Sequence, residues 1–393
     1  MYNSKLGGCL GLVLLGAVTA CGGTVSLLPG QDDTPSSGKS AGGSSGTKTP
    51  PSVGGVAEAR GGTTSQATDP VTEGGATDKP GQGGASLPSS GCGLPLPQEQ
   101  VSTIPGTRTG YTEWNVTLKG ETLGTDEPRD ALPRQFFVRV PVDYDPNRPY
   151  RVVYLGSGCG SQHAGKTNTF ALFNEAQGGS EQAIYVGLSI PDNDVNPGCY
   201  DNNTGPQSQE WEAFEAIHTF VESHYCVDND QIYVGGYSTG AWLANLWGCY
   251  FGGVPTPPRK FSPHWAIRGA LSVTGSLAPN VPKPCGGPAA HLWIHDALDM
   301  SNLISTNTAA LELALQTNGC TGNYDGPKQP WAPAEAIPEL AGGICQEYTG
   351  CPAAVAARYP LVFCTTTGYG HADQANHAIP AFERFFEQLA PPQ

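Results

Sequence analysis

The pentapeptide Gly236-Tyr237-Ser238-Thr239-Gly240 decides how this chain folds. The apolar run Ile232–Val234 precedes it and the stretch Ala241–Trp247 follows it, so we predict a strand, a sharp turn and a helix. Glycines flank the serine because such a turn strains the serine backbone and brings strand and helix together. The flanking elements favour a nucleophile elbow over a simple glycine-serine turn. Ser238 is therefore a candidate nucleophile, and the Thr239 N–H is a candidate oxyanion donor.

Strand and helix patterns alternate through the rest of the chain. A helix over Ser208–Tyr225 carries an apolar stripe, and a second helix follows Pro380 near the C-terminus. Predicted strands are Arg134–Pro141, Tyr150–Leu155, Ala183–Ser189, Ile267–Val273, His291–His295 and Leu361–Cys364. This alternation predicts an α/β domain with a mainly parallel sheet and helices on both faces, whose functional groups collect at the carboxyl ends of the strands.

Two late strands end in residues that could complete a catalytic triad. Asp299 follows the strand that ends at His295, with Asp296 as the alternative acid. His371 lies in a glycine-rich loop after the last strand, with His377 as the alternative base. The order Ser238, Asp299, His371 is the nucleophile, acid and base order of α/β-hydrolases, so we predict that fold.

The loop Gly156-Ser157-Gly158-Cys159-Gly160 directly follows a predicted strand. Its position and glycines are typical of the early loop that supplies a second oxyanion donor in this fold. The Cys159 amide is the predicted donor, and a disulfide through Cys159 would be compatible with that role.

The first 91 residues predict export and tethering. Lys5, the apolar run Leu6–Val18 and the sequence ending at Cys21 form a signal peptide, residues 1–21, whose last four residues resemble a lipobox. Cys21 is the predicted lipidation site, and Gly22 after it favours a bacterial outer-membrane or cell-surface lipoprotein. An ordinary signal peptide with an incidental cysteine is the alternative.

The mature chain divides by composition into a tether and a domain. Residues 22–91 are rich in Gly, Ser, Thr and Pro and are predicted to be disordered, with a reach of roughly 45 Å. Residues 92–393 have the length and apolar content of one large α/β domain, with two domains as the alternative on length. The net charge of −15 excludes nucleic acid as a favoured partner, and the membrane is contacted through the lipid anchor only.

Cysteine usage predicts a disulfide-stabilised domain without a metal. Of the 12 cysteines, ten follow Cys21, which allows five disulfides, and their scatter is unlike paired zinc ligands. Cys351 and Cys364 flank a short segment and could pair locally.

Asp192–Asn203 begins like a calcium loop but has Pro197 in place of the required glycine. We predict no metal and no cofactor.

A competing pattern is Gly160–Thr167, which matches the phosphate-binding loop G-x-x-x-x-G-K-[ST]. Gly160 lies several residues past the strand end, so its N–H groups would miss the strand–helix junction. Export also places the domain where nucleoside triphosphates are scarce. A nucleoside triphosphatase is therefore disfavoured.

Five further stretches of the chain form a distinctive set, namely Gly198-Cys-Tyr-Asp201, Ser208-Gln-Glu-Trp211, Tyr225-Cys-Val-Asp228, Ile232 to Asn245, and Cys249. This set resembles secreted feruloyl esterases and the related polyhydroxybutyrate depolymerases, in the esterase-D-like branch of the α/β-hydrolases. The resemblance implies Ser-Asp-His catalysis without a cofactor on hydroxycinnamoyl-sugar or hydroxyalkanoate esters. One departure is Ser157, where relatives often carry histidine.

The resulting expectation is an extracytoplasmic carboxylic ester hydrolase. Tyr237 and Trp242 could stack on an aromatic acyl group, which favours feruloyl-type esters of plant cell-wall polysaccharides. Polyhydroxybutyrate or another polyester is the alternative substrate. A non-catalytic, surface-tethered ligand-binding lipoprotein is the alternative of another class. The polar segment Pro191–Gln207 is expected at the rim above Ser238.

Overall fold

The computed structural model describes residues 87–97, 101–103, 110–124, 129–141, 143–160, 183–191, 196–202, 205–253, 260–261, 264–277, 281, 285–372, 374 and 378–389. The predicted signal peptide, Cys21 and nearly all of the predicted tether lie outside these ranges. So do residues 161–167 of the phosphate-loop pattern, residues 192–195 of the calcium-like pattern, and His377.

Eleven strands of the described residues form one sheet, with a parallel centre and antiparallel edges. The spatial order is β1-β2-β3-β5-β4-β6-β7-β8-β11-β10-β9, and the six strands from β5 to β11 are mutually parallel. The strands are β1 Val101–Thr103, β2 Gly110–Thr117, β3 Pro133–Arg139, β4 Tyr150–Gly156, β5 Ala183–Leu188, β6 Val227–Tyr237, β7 Ile267–Val273, β8 Ala290–Asp296, β9 Lys328–Pro330, β10 Ile344–Tyr348 and β11 Leu361–Thr366.

Helices cover both faces of this sheet, as the alternation of elements predicts. They are α1 Glu210–His224, α2 Thr239–Tyr250, α3 Ile304–Thr317, α4 Ala353–Arg358 and α5 Ile379–Leu389. Val152 and Tyr154 of β4 pack in the same core cluster as α1 and α2, whereas Val153 and Leu155 pack in the cluster that contains α5. Alternate residues of β4 therefore pack into the two cores on opposite faces of the sheet. None of the described helices is long and apolar enough to cross a membrane.

The predicted stripe of α1 faces the core. Trp211, Phe214, Ile217 and Val221 are all buried, because their three- and four-residue spacings place them on one side of the helix. The Ser208 hydroxyl accepts a hydrogen bond from the Glu210 N–H at 3.0 Å, so it satisfies a backbone group at the helix start. This helix packs beside the elbow helix α2, within one core.

Four edge strands and the two helices α3 and α4 are absent from the sequence prediction. The edge strands β1, β2, β9 and β10 pair antiparallel to their neighbours, and two of them have only three residues, too few to show a period. Helix α3 begins with a polar turn and buries Leu311 and Leu315 further along. These leucines are recognisable as the core-facing side of α3 only from the strands that the helix covers.

Five disulfides join the ten cysteines of the described domain, in the number that the sequence allows. They are Cys92–Cys226, Cys159–Cys199, Cys249–Cys285, Cys320–Cys351 and Cys345–Cys364. The suggested Cys351–Cys364 pair is wrong. Cys345 and Cys364 lie directly opposite each other on the antiparallel strands β10 and β11, so sheet register selects that pair.

Two buried histidines predict that acid destabilises the domain. Burial lowers the pKa of His218 in α1 and of His291 in β8 to about 3 each, against about 6.5 in the unfolded chain. The unfolded chain then binds more protons than the folded one between these values, so stability is complete above about pH 6.5 and is lost as the pH falls towards 3. Each histidine contributes a slope of about 1.4 kcal/mol per pH unit in that window.

This slope is measured by denaturant unfolding at several pH values between 7 and 4. The variant His291→Gln lacks one titrating ring, and we expect its free energy of unfolding to fall less steeply with acid than that of the parent protein. Equal slopes in the two proteins would contradict the assignment of His291 as a buried neutral group.

Candidate active site

Ser238 occupies a strained turn between β6 and α2. Its backbone has φ 54° and ψ −119°, a conformation that non-glycine residues seldom adopt. A Cβ at Gly240 would lie 2.2 Å from the carbonyl carbon of Gly156, and a Cβ at Gly236 would lie 2.5 Å from the carbonyl carbon of Gly240. The three glycines therefore permit a backbone contact between β4, β6 and α2 that any side chain would block. This contact fixes the serine at the carboxyl edge of the sheet.

The structure brings Ser238, His371 and Asp299 together in one hydrogen-bonded chain. His371 Nε2 lies 3.0 Å from Ser238 Oγ, and His371 Nδ1 lies 2.8 Å from Asp299 Oδ2. A carboxylate only accepts, so the Nδ1–H donates to Asp299, and Nε2 is left to accept the Ser238 hydroxyl. The serine comes from the end of β6, the aspartate from the loop after β8, and the histidine from the loop after β11.

Local hydrogen bonds hold Asp299 in place. Its Oδ1 accepts the N–H groups of Ser301 and Asn302 at 2.8 and 3.0 Å, which leaves Oδ2 facing His371. His295 Nε2 lies 3.7 Å from the same Oδ2 and donates to the Asn302 carbonyl at 2.8 Å. Burial lowers the pKa of His295, although neighbouring groups oppose the shift. His295 thus braces the loop as a neutral ring.

Asp296, the alternative acid, has a different set of partners. Its Oδ2 accepts the Tyr369 N–H at 3.0 Å and the Thr366 hydroxyl at 3.1 Å, and its Oδ1 accepts the Leu298 N–H at 2.9 Å. Burial alone would raise the pKa of Asp296, but these hydrogen bonds outweigh it and the pKa lies below its usual value. Asp296 therefore ties together the two loops that carry Asp299 and His371, and it is Asp299 that contacts the imidazole.

The early loop after β4 lies against the elbow. The Gly240 N–H donates to the Ser157 carbonyl at 3.0 Å, and a Cβ at Gly158 would lie 2.8 Å from the Tyr237 ring. The disulfide from Cys159 to Cys199 and the bond from the Gly160 N–H to the Gly198 carbonyl, 2.7 Å, attach this loop to the segment before α1. Cys159 is therefore held at the pocket by covalent and backbone contacts.

A pocket of about 200 Å³ opens beside the serine. It is lined by Cys159, Asn196, Cys199, Asn202, Ser238, Thr239, Trp242 and Asn302. Both residues predicted as oxyanion donors are among them. Asn196, Cys199 and Asn202 belong to the segment that the sequence predicts at the rim, so these three residues of the segment lie beside Ser238. Trp242 forms part of the wall, whereas the Tyr237 ring lies 5.2 Å from the His371 ring.

Sequence patterns missed several polar side chains of this site. The Asn202 amide donates to the Thr239 carbonyl at 2.8 Å and to the Thr239 hydroxyl at 2.9 Å. Asn302 lines the pocket and donates its amide to the Thr274 carbonyl at 2.7 Å. Isolated asparagines in polar loops give no periodic signal, so only their tertiary contacts identify them. Among the described residues, no group of three or more His, Cys, Asp or Glu side chains is placed to hold a metal ion.

The strand order, the strained serine and the loops at the carboxyl edge define an α/β-hydrolase fold. Solved structures with similar folds include a ferulic acid esterase from Anaeromyces mucronatus, 16% identical, with 75% of this chain and 97% of that chain covered and a TM-score of 0.41. An acetyl xylan esterase from Aspergillus awamori is 13% identical over 70% of this chain and 98% of its own, with a TM-score of 0.44.

An S-formylglutathione hydrolase from Agrobacterium tumefaciens is 13% identical over 74% of this chain and 99% of its own, with a TM-score of 0.45. No model of a protein family matches this chain, and no curated protein matches it by sequence. The similarity concerns the fold, and the function is inferred below from the side chains of the site.

Proposed function

We propose that this protein is a carboxylic ester hydrolase in which Ser238 is the nucleophile, His371 the general base and acid, and Asp299 the residue that orients the imidazole. The observation that supports it is the continuous hydrogen-bonded chain from Ser238, which lines a pocket, through His371 to Asp299. A serine hydroxyl is a weak nucleophile unless an adjacent base accepts its proton, and this arrangement supplies that base.

The reaction follows from the positions of these atoms. Ser238 Oγ attacks the ester carbonyl while His371 Nε2 takes the hydroxyl proton, and the resulting imidazolium is stabilised by Asp299. When the tetrahedral intermediate collapses, His371 gives the proton to the leaving alcohol oxygen. Water then attacks the acyl-enzyme with His371 again acting as base, which releases the carboxylic acid and restores Ser238.

The Thr239 and Cys159 N–H groups are the proposed oxyanion donors. Thr239 is the first residue of α2, so its N–H has no partner within the helix. No described residue accepts a hydrogen bond from this N–H. The aligned peptide dipoles of α2 also favour negative charge at that end. The Cys159 N–H lies on the opposite loop, which the disulfide to Cys199 fixes, and two fixed donors can stabilise the charge without reorganising.

Asn202 is expected to matter for turnover although it does not react. Its amide donates to the Thr239 carbonyl and hydroxyl, and thereby positions the residue whose N–H is a proposed oxyanion donor. We expect Asn202→Ala to lower kcat for a simple p-nitrophenyl ester by roughly tenfold, a loss of about 1.4 kcal/mol in transition-state stabilisation, with a smaller change in KM. Steady-state kinetics of the purified variant measure this.

The variant Asn202→Asp is the matched control, because aspartate has the same shape and cannot donate to Thr239. Its kcat should fall at least as far as that of Asn202→Ala. Unchanged kcat in both folded variants would show that Thr239 is positioned without Asn202.

For the substrate, we propose a feruloyl-type ester of plant cell-wall polysaccharides over a polyester. Trp242 supports this choice because it lines the pocket beside Ser238 and is only partly buried, so its ring can stack on an aromatic acyl group. The test compares kcat/KM for methyl ferulate with that for hydroxybutyrate oligomers. A higher value for the oligomers would reverse the choice of substrate and leave the roles of Ser238 and His371 intact.

For location, we propose a bacterial outer-membrane or cell-surface lipoprotein anchored through Cys21. The five disulfides of the domain support an extracytoplasmic site, since such bonds persist in oxidising compartments. Fractionation of expressing cells tests the anchor. The parent protein should be found with membranes, and Cys21→Ala should not; a membrane-bound Cys21→Ala protein would contradict lipidation at that residue.

A further inference from the structure

An exposed apolar cluster lies on the loop between β8 and α3. Leu298, Met300 and Leu303 are 63%, 83% and 52% exposed, and we call these three side chains the apolar rim. Only seven large hydrophobic residues are exposed in the part of the chain that the structure describes, and three of them fall within the six positions 298–303. Single exposed apolar side chains are ordinary, but a cluster beside a pocket is typical of a binding surface.

The apolar rim adjoins the candidate active site. Its loop also carries Asp299, which contacts His371, and Asn302, which lines the pocket with Ser238. Strands β6 and β8 are separated by β7 alone, so the loop starts about two strand spacings, or roughly 10 Å, from the elbow. Leu303 and Met300 are thus one and two positions along the chain from Asn302, which lines the pocket.

Backbone contacts hold this loop in its exposed position. The Leu298 N–H donates to Asp296, and the N–H groups of Ser301 and Asn302 donate to Asp299. The Asn302 side chain also donates to the Thr274 carbonyl. These bonds set the path of the loop backbone, and the three apolar side chains project from it into solvent. A surface fixed in this way loses little conformational freedom on binding.

We propose that the apolar rim binds the apolar chain of an ester substrate where that chain extends beyond the pocket. The inference rests on the proposed ester hydrolysis at Ser238, and it adds alkyl esters to the feruloyl-type esters proposed above. The pocket, about 200 Å³, is smaller than the roughly 300–1,000 Å³ of sites that enclose a drug-sized ligand. A larger ester must therefore lie partly outside the pocket. Leu298, Met300 and Leu303 provide an apolar surface on which that part of the ester can be shielded from water. The chain can belong to the acyl or to the alcohol side of the ester.

The experiment compares long-chain with short-chain esters in the parent protein and in the triple variant Leu298→Ser, Met300→Ser, Leu303→Ser. One arm uses p-nitrophenyl acetate and octanoate to vary the acyl side, and the other uses methyl and octyl ferulate to vary the alcohol side. Full burial of one methylene is worth a factor of about four, so partial burial at an exposed rim should give about twofold per contacting methylene.

We expect the ratio of kcat/KM for the long ester to that for the short ester to fall by about tenfold or more in the triple variant, in one of the two arms. The arm that responds identifies the side of the ester that the apolar rim contacts. Ile344→Ser is the matched control, because Ile344 is 64% exposed on the edge strand β10 and should leave both ratios unchanged.

Folding is checked by thermal unfolding, and serine is a favoured residue at position 303, just before α3. If the triple variant does not fold, Met300→Ser alone carries the test, with a smaller fall in the same ratio. Equal ratios in parent and variant, in both arms, would overturn the apolar rim while leaving ester hydrolysis intact. A parent protein that hydrolyses none of the four esters would overturn the proposed function and the apolar rim with it.

Discussion

Replacing Ser238 with alanine is expected to lower kcat for ester hydrolysis by about 10⁶-fold, the scale seen when the nucleophile of a triad is removed. Alanine has no oxygen to attack the carbonyl, and His371 Nε2 loses the partner that lies 3.0 Å away. Any residual activity would come from the oxyanion donors and substrate binding. The measurement is kcat for a p-nitrophenyl ester, with single-turnover detection of released p-nitrophenol.

The control for this experiment is Ser305→Ala, which removes an exposed serine hydroxyl from α3 and should retain full activity. The unfolding temperature of Ser238→Ala must show a folded protein, since the turn stays strained with alanine at φ 54°. A folded Ser238→Ala protein with near-normal turnover would refute the nucleophile.

The second large effect is expected for Asp299→Asn, with a fall in kcat of about 10⁴-fold. Asparagine can still accept the N–H groups of Ser301 and Asn302 through Oδ1. Its amide NH₂ would then face His371 Nδ1, which must accept instead of donate. The imidazole proton would move to Nε2, where it prevents that atom from taking the Ser238 proton. The position of the His371 imidazole is kept, but its proton lies on the wrong nitrogen. We therefore expect kcat to fall while the fold stays intact.

The variant Asp296→Asn separates the two aspartates. Asp296 accepts from Leu298, Thr366 and Tyr369, so an amide there would mainly disturb loop position and stability. We expect a lower unfolding temperature and a much smaller loss of kcat than for Asp299→Asn. The reverse order, measured on folded proteins, would assign the triad acid to Asp296.

Local pattern determined much of the fold. The six predicted strands lie within a residue or two of the observed ones, because buried strands are short apolar runs that need no knowledge of their neighbours. The elbow was recognisable because the turn has no room for a side chain at its glycines. A Cβ at Gly240, for example, would lie 2.2 Å from the carbonyl carbon of Gly156. Ser238, Asp299 and His371 could be proposed because each follows a strand, and parallel strands end at one edge.

Other features were decided only by tertiary structure. Cys345 pairs with Cys364 because β10 runs antiparallel to β11, and no spacing along the chain encodes that register. Asp296 and Asp299 are three residues apart and equally acidic in sequence, and the choice between them depends on which carboxylate the loop turns toward His371. Asn202 donates to Thr239 although the two residues are 37 positions apart, so this contact exists only in the folded chain. The sequence by itself thus determined the central strands, the helices α1, α2 and α5, and the candidate catalytic residues, since these depend on local sterics and periodicity. The edge strands and the partners of these residues were decided by contacts between segments that only folding brings together.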